Sequence, residues 1–183
     1  MSRDRERVYD EYLVASARAG DRAALGEVVG RWQRRFLGHA WRLTGDAELS
    51  RDVVQEAWME IVRGLARLDD AAAFPAWAFR VVTRRAAKAI GRAQRQRRTL
   101  EALAGEPRPE PARTAEHQID GATVRVALGA LPAAQRVALG LFYLEEMSVA
   151  EIALALEVPE GTVKTRLMHA RRKVRDQLGD RDA

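Results

Sequence analysis

Two stretches of this sequence carry residue types suited to holding a polyanion. From Arg80 to Arg98 the cations Arg80, Arg84, Arg85, Lys88, Arg92, Arg95, Arg97 and Arg98 follow one another with no acidic residue between them. Eight like charges over about five helical turns raise the local potential and attract phosphate, which arginine can grip with two parallel hydrogen bonds. Phe74, Trp77 and Phe79 precede the run, so aromatics able to stack on exposed bases adjoin backbone-binding cations. The plainer reading puts Trp77 and Phe79 in the core and the arginines on a solvated face. Nearer the C-terminus, Thr162, Thr165, Arg166, His169, Arg172 and Lys173 recur at helical steps, flanked by Lys164, Arg171 and Arg175. A helix with that face fits the DNA major groove, where Arg reads guanine O6 and N7 while its neighbours hold phosphates. The alternative is a generic cationic amphipathic helix.

A third stretch has the opposite sign. Between Asp46 and Asp70 there are seven acidic residues against three arginines, an acidic island in a chain of net charge +5. From Asp52 to Leu65, Val53, Val54, Ala57, Trp58, Ile61, Val62 and Leu65 form one apolar stripe, which leaves Asp52, Gln55, Glu56, Met59, Glu60 and Arg63 facing outward. Such asymmetry calls for two different partners, a basic one for this face and an anionic one for the arginines.

Enzyme chemistry finds little material. There is no cysteine, and the serines at 2, 16, 50 and 148 and histidines at 39, 117 and 169 sit in no G-x-S-x-G, P-loop or H-E-x-x-H pattern. His39 and His117 have no second ligand at i+3 or i+4, so they read as core or surface residues. The expectation is no catalytic residue, no metal and no cofactor.

The elements that position these faces are helices. Of 183 residues 47% are hydrophobic and only 6% aromatic, and no β-branched alternation of strand type occurs, so the chain reads as all-α and foldable. Gly105, Pro107, Pro109 and Pro111 break the helical pattern within 99–120. That linker divides a helical unit at 8–98 from a second at 121–179. Leu25, Val28, Val29, Trp32, Phe36 and Leu37 mark a buried face in the first unit, where Trp32, Trp41 and Trp58 read as core. In the second, Ser148-Val149-Ala150-Glu151 has the form of a capping box that starts a helix running through Ile152 and Leu156. Residues 157–161 turn, and a second helix buries Val163, Leu167, Ala170, Val174 and Leu178. Helix, short turn, helix is the result. Residues 1–10 lack a secretory apolar core and no segment approaches about eighteen uninterrupted apolar residues, so no membrane insertion and a cytoplasmic location are expected.

In this order, these residues resemble the sigma factors of bacterial RNA polymerase, specifically the small extracytoplasmic-function group of the sigma-70 family. Asp46-Ala47-Glu48, Asp52-Val53-Val54-Gln55-Glu56-Ala57-Trp58 and Phe74-Pro75-Ala76-Trp77 are similar to the family's second conserved region. Leu131-Pro132-Ala133-Ala134-Gln135-Arg136, Ser148-Val149-Ala150-Glu151-Ile152-Ala153 and Pro159-Glu160-Gly161-Thr162-Val163-Lys164-Thr165-Arg166-Leu167 are similar to its fourth. The resemblance implies two helical domains, the C-terminal one a helix-turn-helix, and a factor that directs core RNA polymerase to promoters and aids their opening. It implies that Asp52, Gln55, Glu56 and Met59 dock on the β′ clamp helices, with the β flap as a further polymerase contact. Trp77, Arg80, Arg84, Arg85 and Lys88 would hold the minus-ten element, while Thr162, Lys164, Thr165, Arg166, His169, Arg172 and Lys173 would read the minus-thirty-five element. The linker would thread towards the polymerase active-site cleft, and an anti-sigma factor is an implied partner. Arg84 and Lys88 stand where the family usually has Asn and Asp, which adds charge for phosphate and removes hydrogen-bond acceptors.

Two other readings are open to these residues. A sigma-like adaptor that sequesters an anti-sigma factor would show a decayed recognition helix or a phosphoreceiver domain, and neither is present. A polymerase-independent helix-turn-helix regulator would have no use for the acidic face from Asp52 to Arg63.

Overall fold

Short polar side chains start the central helices and fix where each begins. The computed structural model describes residues 3–104 and 128–179, with side chains described over 5–100 and 128–177. Helix α1 spans Arg3–Arg18. Helix α2, Arg22–Thr44, is capped by Asp21, whose side chain accepts from the Ala23 and Ala24 amides at 2.8 and 3.1 Å. It ends at Gly45, where φ of 71° lets the Gly45 amide donate back to the Trp41 carbonyl. Asp46 then caps α3, Ala47–Gly64, by accepting from the Leu49 amide at 2.9 Å. Two 3-10 turns at Leu65–Arg67 and Ala71–Ala73 lead into the long α4, Phe74–Ala104. Helix α4 continues past residue 98, into the stretch read from sequence as linker; the rest of that stretch, from 105, lies outside the described residues.

The aromatics of the first unit meet in one cluster. Trp32 is 1% exposed and lies edge-on to Phe74 at 5.0 Å between ring centres, and Phe36 packs on Trp58 and Phe79 at 5.1 and 5.3 Å. Trp58 keeps its indole N–H satisfied on Gln33 Oε1 at 2.5 Å. Phe74 and Phe79 are therefore core residues, so of the two readings open to these aromatics the plainer one holds for Phe79, and Phe74 joins it in place of a stacking role. Val62 also departs from the apolar stripe, since it is 45% exposed while Val53, Val54, Ala57, Ile61 and Leu65 are buried.

The second unit comprises α5, Ala133–Tyr143, α6, Val149–Leu156, and α7, Glu160–Gly179. The expected capping box is present: Ser148 accepts from the Glu151 amide and Glu151 accepts from the Ser148 amide at 2.7 Å. The turn to α7 is set by Glu157, whose φ of 54° places it in the left-handed region and sends its N–H to the Ala153 and Leu154 carbonyls. Val163, Leu167 and Ala170 face inward as expected, Val174 is half-buried, and the Leu178 side chain lies outside the described residues. Helix α5 lies on α2, and α6 lies on α4, so Val137, Leu141, Ile152 and Ala155 continue the core of the first unit.

Candidate polymerase and promoter interface

Helix α3 presents its outer face as the stripe requires. Asp52, Gln55 and Met59 are exposed, Met59 at 51%, while Glu56 and Glu60 are half-buried on the side turned towards α4. There they meet Arg85. Its Nε donates to Glu60 Oε2 at 2.6 Å, its Nη2 pairs with the same oxygen, and its Nη1 donates to Glu56 Oε2 at 3.2 Å. Arg92 adds an ion pair to Glu56 at 3.6 Å. The hydrogen bond to Glu60, with further help from Glu56, holds the Arg85 guanidinium above its ordinary pKa. Arg85 thus joins the acidic face in this state, a placement that differs from its sequence assignment to the DNA-contacting set.

Arg80, Arg84 and Lys88 stand at four-residue steps and so form one ridge along α4, with Arg85 about 100° round from Arg84 and Arg92, seven residues on, on the same side as Arg85. Arg84 and Lys88 are exposed, and among the described residues no carboxylate is recorded against either. Arg80 instead reaches the turn of the second unit, pairing with Glu157 Oε1 at 2.7 Å. Trp77 is half-buried near Phe74, and its ring fills the space over Gly64: a Cβ added there would lie 2.8 Å from Trp77 Cζ2. Part of the indole remains at the surface beside the cation line.

On α7 the face expected to read bases is partly open. Lys164, Thr165, Arg172 and Lys173 are exposed, with Thr162, Arg166 and His169 half-buried between them. Thr165 donates to the Gly161 carbonyl at 2.9 Å, and Lys164 lies 3.9 Å from Glu160 in the first turn. Arg171 is turned to the side, donating to the Tyr143 hydroxyl at 3.0 Å and lying over the Phe142 ring at 5.1 Å.

Sequence reasoning missed the polar network that docks the second unit on the first. Glu145 is 5% exposed in its side chain, and it accepts from Arg35 Nε at 2.7 Å and Arg42 Nη2 at 3.1 Å, both from α2. Arg136 donates to the Leu131 carbonyl within its own unit and to the Arg42 carbonyl across the junction at 3.1 Å. Burial lowers the Arg42 pKa, and Glu145 opposes that shift. Arg35 also lies 3.8 Å over the Trp32 ring. No spacing in the chain marks these residues, because Arg35 and Glu145 are 110 positions apart.

Comparison with known proteins points the same way. The family described as Sigma-70 region 2 matches residues 28–96, and Sigma-70, region 4 matches residues 122–174. RNA polymerase sigma-H factor of Pseudomonas aeruginosa is 28% identical over 176 residues, covering 90% of this chain and 91% of that protein. ECF RNA polymerase sigma factor SigM of Mycobacterium tuberculosis is 31% identical over 170 residues, covering 93% of this chain and 85% of its relative. In fold, the chain is similar to the sigma factor RpoE solved in complex with the anti-sigma factor NepR from Bartonella quintana, with a TM-score of 0.63 at 18% identity over 85% of this chain and 96% of that one. With both conserved regions matched in order and a relative 31% identical over 93% of the chain, the chain belongs to the extracytoplasmic-function sigma factors of the sigma-70 family, the initiation factors that direct core RNA polymerase to promoters.

Proposed function

We propose that the labour of initiation is divided among three faces of this factor. The outer face of α3, with Asp52, Gln55, Glu56 and Met59, docks a basic surface of core polymerase, the β′ clamp helices. The line Arg80, Arg84 and Lys88 on α4, with Trp77 at its start, holds the opened minus-ten element. Thr162, Lys164, Thr165, Arg166, His169, Arg172 and Lys173 on α7 address the minus-thirty-five element, and the β flap receives the same unit. The observation that carries this reading is the opposite charge of the three helix faces, acidic on α3 and basic on α4 and α7. The likeness to a sigma factor bound by an anti-sigma factor supports a partner of that kind here as well.

The test is transcription from a genomic promoter library by core polymerase with and without the protein. Initiation at discrete sites only when the protein is added is the expected result. Tight operator binding by the free protein with no stimulation of core would replace this reading with that of a polymerase-independent regulator. In parallel, Asp52→Arg with Glu56→Arg reverses charge on the α3 face and should weaken core binding while circular dichroism stays unchanged.

A further inference from the structure

Arg85 belongs to the promoter-binding helix, yet its guanidinium is committed to two carboxylates of the polymerase-binding helix. We propose that Glu60 and Glu56 hold Arg85 away from DNA in the free factor, and that a basic polymerase surface engaging α3 takes over these carboxylates and releases the guanidinium to a promoter phosphate. The inference rests on the docking reading given above for α3.

Three features of the site support an exchange of partners over a fixed structural tie. The carboxylates are reachable from outside, since the side chains of Glu56 and Glu60 are 42% and 36% exposed, and Arg85 is 29% exposed. Pairs at such exposure shift an equilibrium by only roughly 1.5- to 5-fold, so a competing cation array can displace them. Arg85 also lies one position round from Arg84, so a change of rotamer carries its head from the α3 side towards the cation line without moving the helix. Arg92 repeats the arrangement about two turns further on, lying 3.6 Å from Glu56 while 51% exposed. The carboxylates therefore act as counter-charge for the DNA-binding helix until another cation occupies them, and core binding and DNA binding become coupled through one shared pair of groups.

Fluorescence anisotropy of the full chain on promoter duplex over a salt series reads this directly. Glu60→Ala should tighten DNA binding by the free factor roughly 2- to 5-fold and steepen the dependence of log K on log salt by up to about one unit, the signature of one added phosphate contact. Glu48→Ala removes the same charge from the same helix away from Arg85 and measures the long-range effect alone. In an Arg85→Ala background, Glu60→Ala should do no more than Glu48→Ala. With saturating core polymerase the gain from Glu60→Ala should vanish, because the pair is already broken. Equal gains with and without Arg85, or a gain that persists in the holoenzyme, would overturn the proposal. Glu60→Gln, with thermal melts of each variant, covers the case in which the alanine variant folds poorly. A missing Glu60–Arg85 coupling leaves the docking of α3 standing, whereas an Asp52→Arg variant that binds core as tightly as wild type removes the docking reading and the release step with it.

Discussion

The Arg42 side chain runs through the space that Gly140 leaves by having no side chain: a Cβ on Gly140 would lie 2.6 Å from Arg42 Nε and 2.8 Å from its Cδ. A glycine inside α5 costs helix propensity, and here it is needed because α5 must approach α2 closely enough for Glu145 to reach the same guanidinium. Arg42 cannot step aside cheaply, being buried and held by Glu145.

Gly140→Ala therefore sets two effects against each other. Alanine contributes about 1 kcal/mol of helix propensity, while separating a buried Arg from its carboxylate costs about 3–5 kcal/mol. The net expectation is a loss of about 2–4 kcal/mol in the docking of the second unit. Small-angle scattering should show a larger radius of gyration at unchanged helicity; a wild-type radius and melting curve would refute the notch.

His39 supplies a pH dependence. It is wholly buried, and burial, with the nearby Arg42 charge, pushes its pKa well below the ordinary imidazole value. Thr83 donates its hydroxyl hydrogen to the Phe79 carbonyl at 2.8 Å, so at 2.9 Å it accepts from His39 Nε2–H, which fixes the neutral tautomer. A group whose folded pKa is depressed favours folding above its unfolded pKa, near 6.5, and that advantage is lost as pH falls from there towards the folded value. Unfolding free energy should drop by at most about 1.4 kcal/mol per pH unit below about pH 6.5. In His39→Gln that component should disappear; urea titrations at pH 7.5, 6 and 5 decide it, and equal slopes in both proteins would contradict the assignment.

On the proposed division of labour, α4 and α7 should fail in different ways. Arg166→Ala or Lys173→Ala should change preference at the upstream element, with a cost of about 1–3 kcal/mol where the side chain reads a base. Arg84→Ala or Lys88→Ala should weaken binding on all promoters alike and reduce the salt slope by about one unit per lost phosphate contact. Trp77→Ala, because the ring both covers Gly64 and remains partly exposed, should lower the melting temperature and hinder strand opening together. Permanganate footprinting beside a melt separates the two losses. Normal opening by a destabilised Trp77→Ala variant would leave the ring a purely structural role.

Much of this architecture was legible along the chain because its causes are local. The capping box at Ser148 and Glu151 involves atoms three residues apart, and the burial of Val53, Val54, Ala57 and Ile61 follows from helical period alone. The acidic and basic faces were likewise visible, since charge on an amphipathic helix needs no knowledge of neighbours to be placed outward. Tertiary structure decided which charges meet. Arg85 and Glu60 are 25 positions apart, and a guanidinium within reach of both phosphate and carboxylate takes whichever partner the packing of α3 on α4 supplies. The same holds for Phe74 and Phe79, whose type suits stacking on bases as well as the plainer role of core filling; their convergence on Trp32 and Phe36 selects the core. The junction through Glu145, Arg35, Arg42 and Gly140 left no mark in the sequence at all, because a buried ion pair across 103 or 110 residues is created by the approach of two helices and by nothing in the local pattern of either.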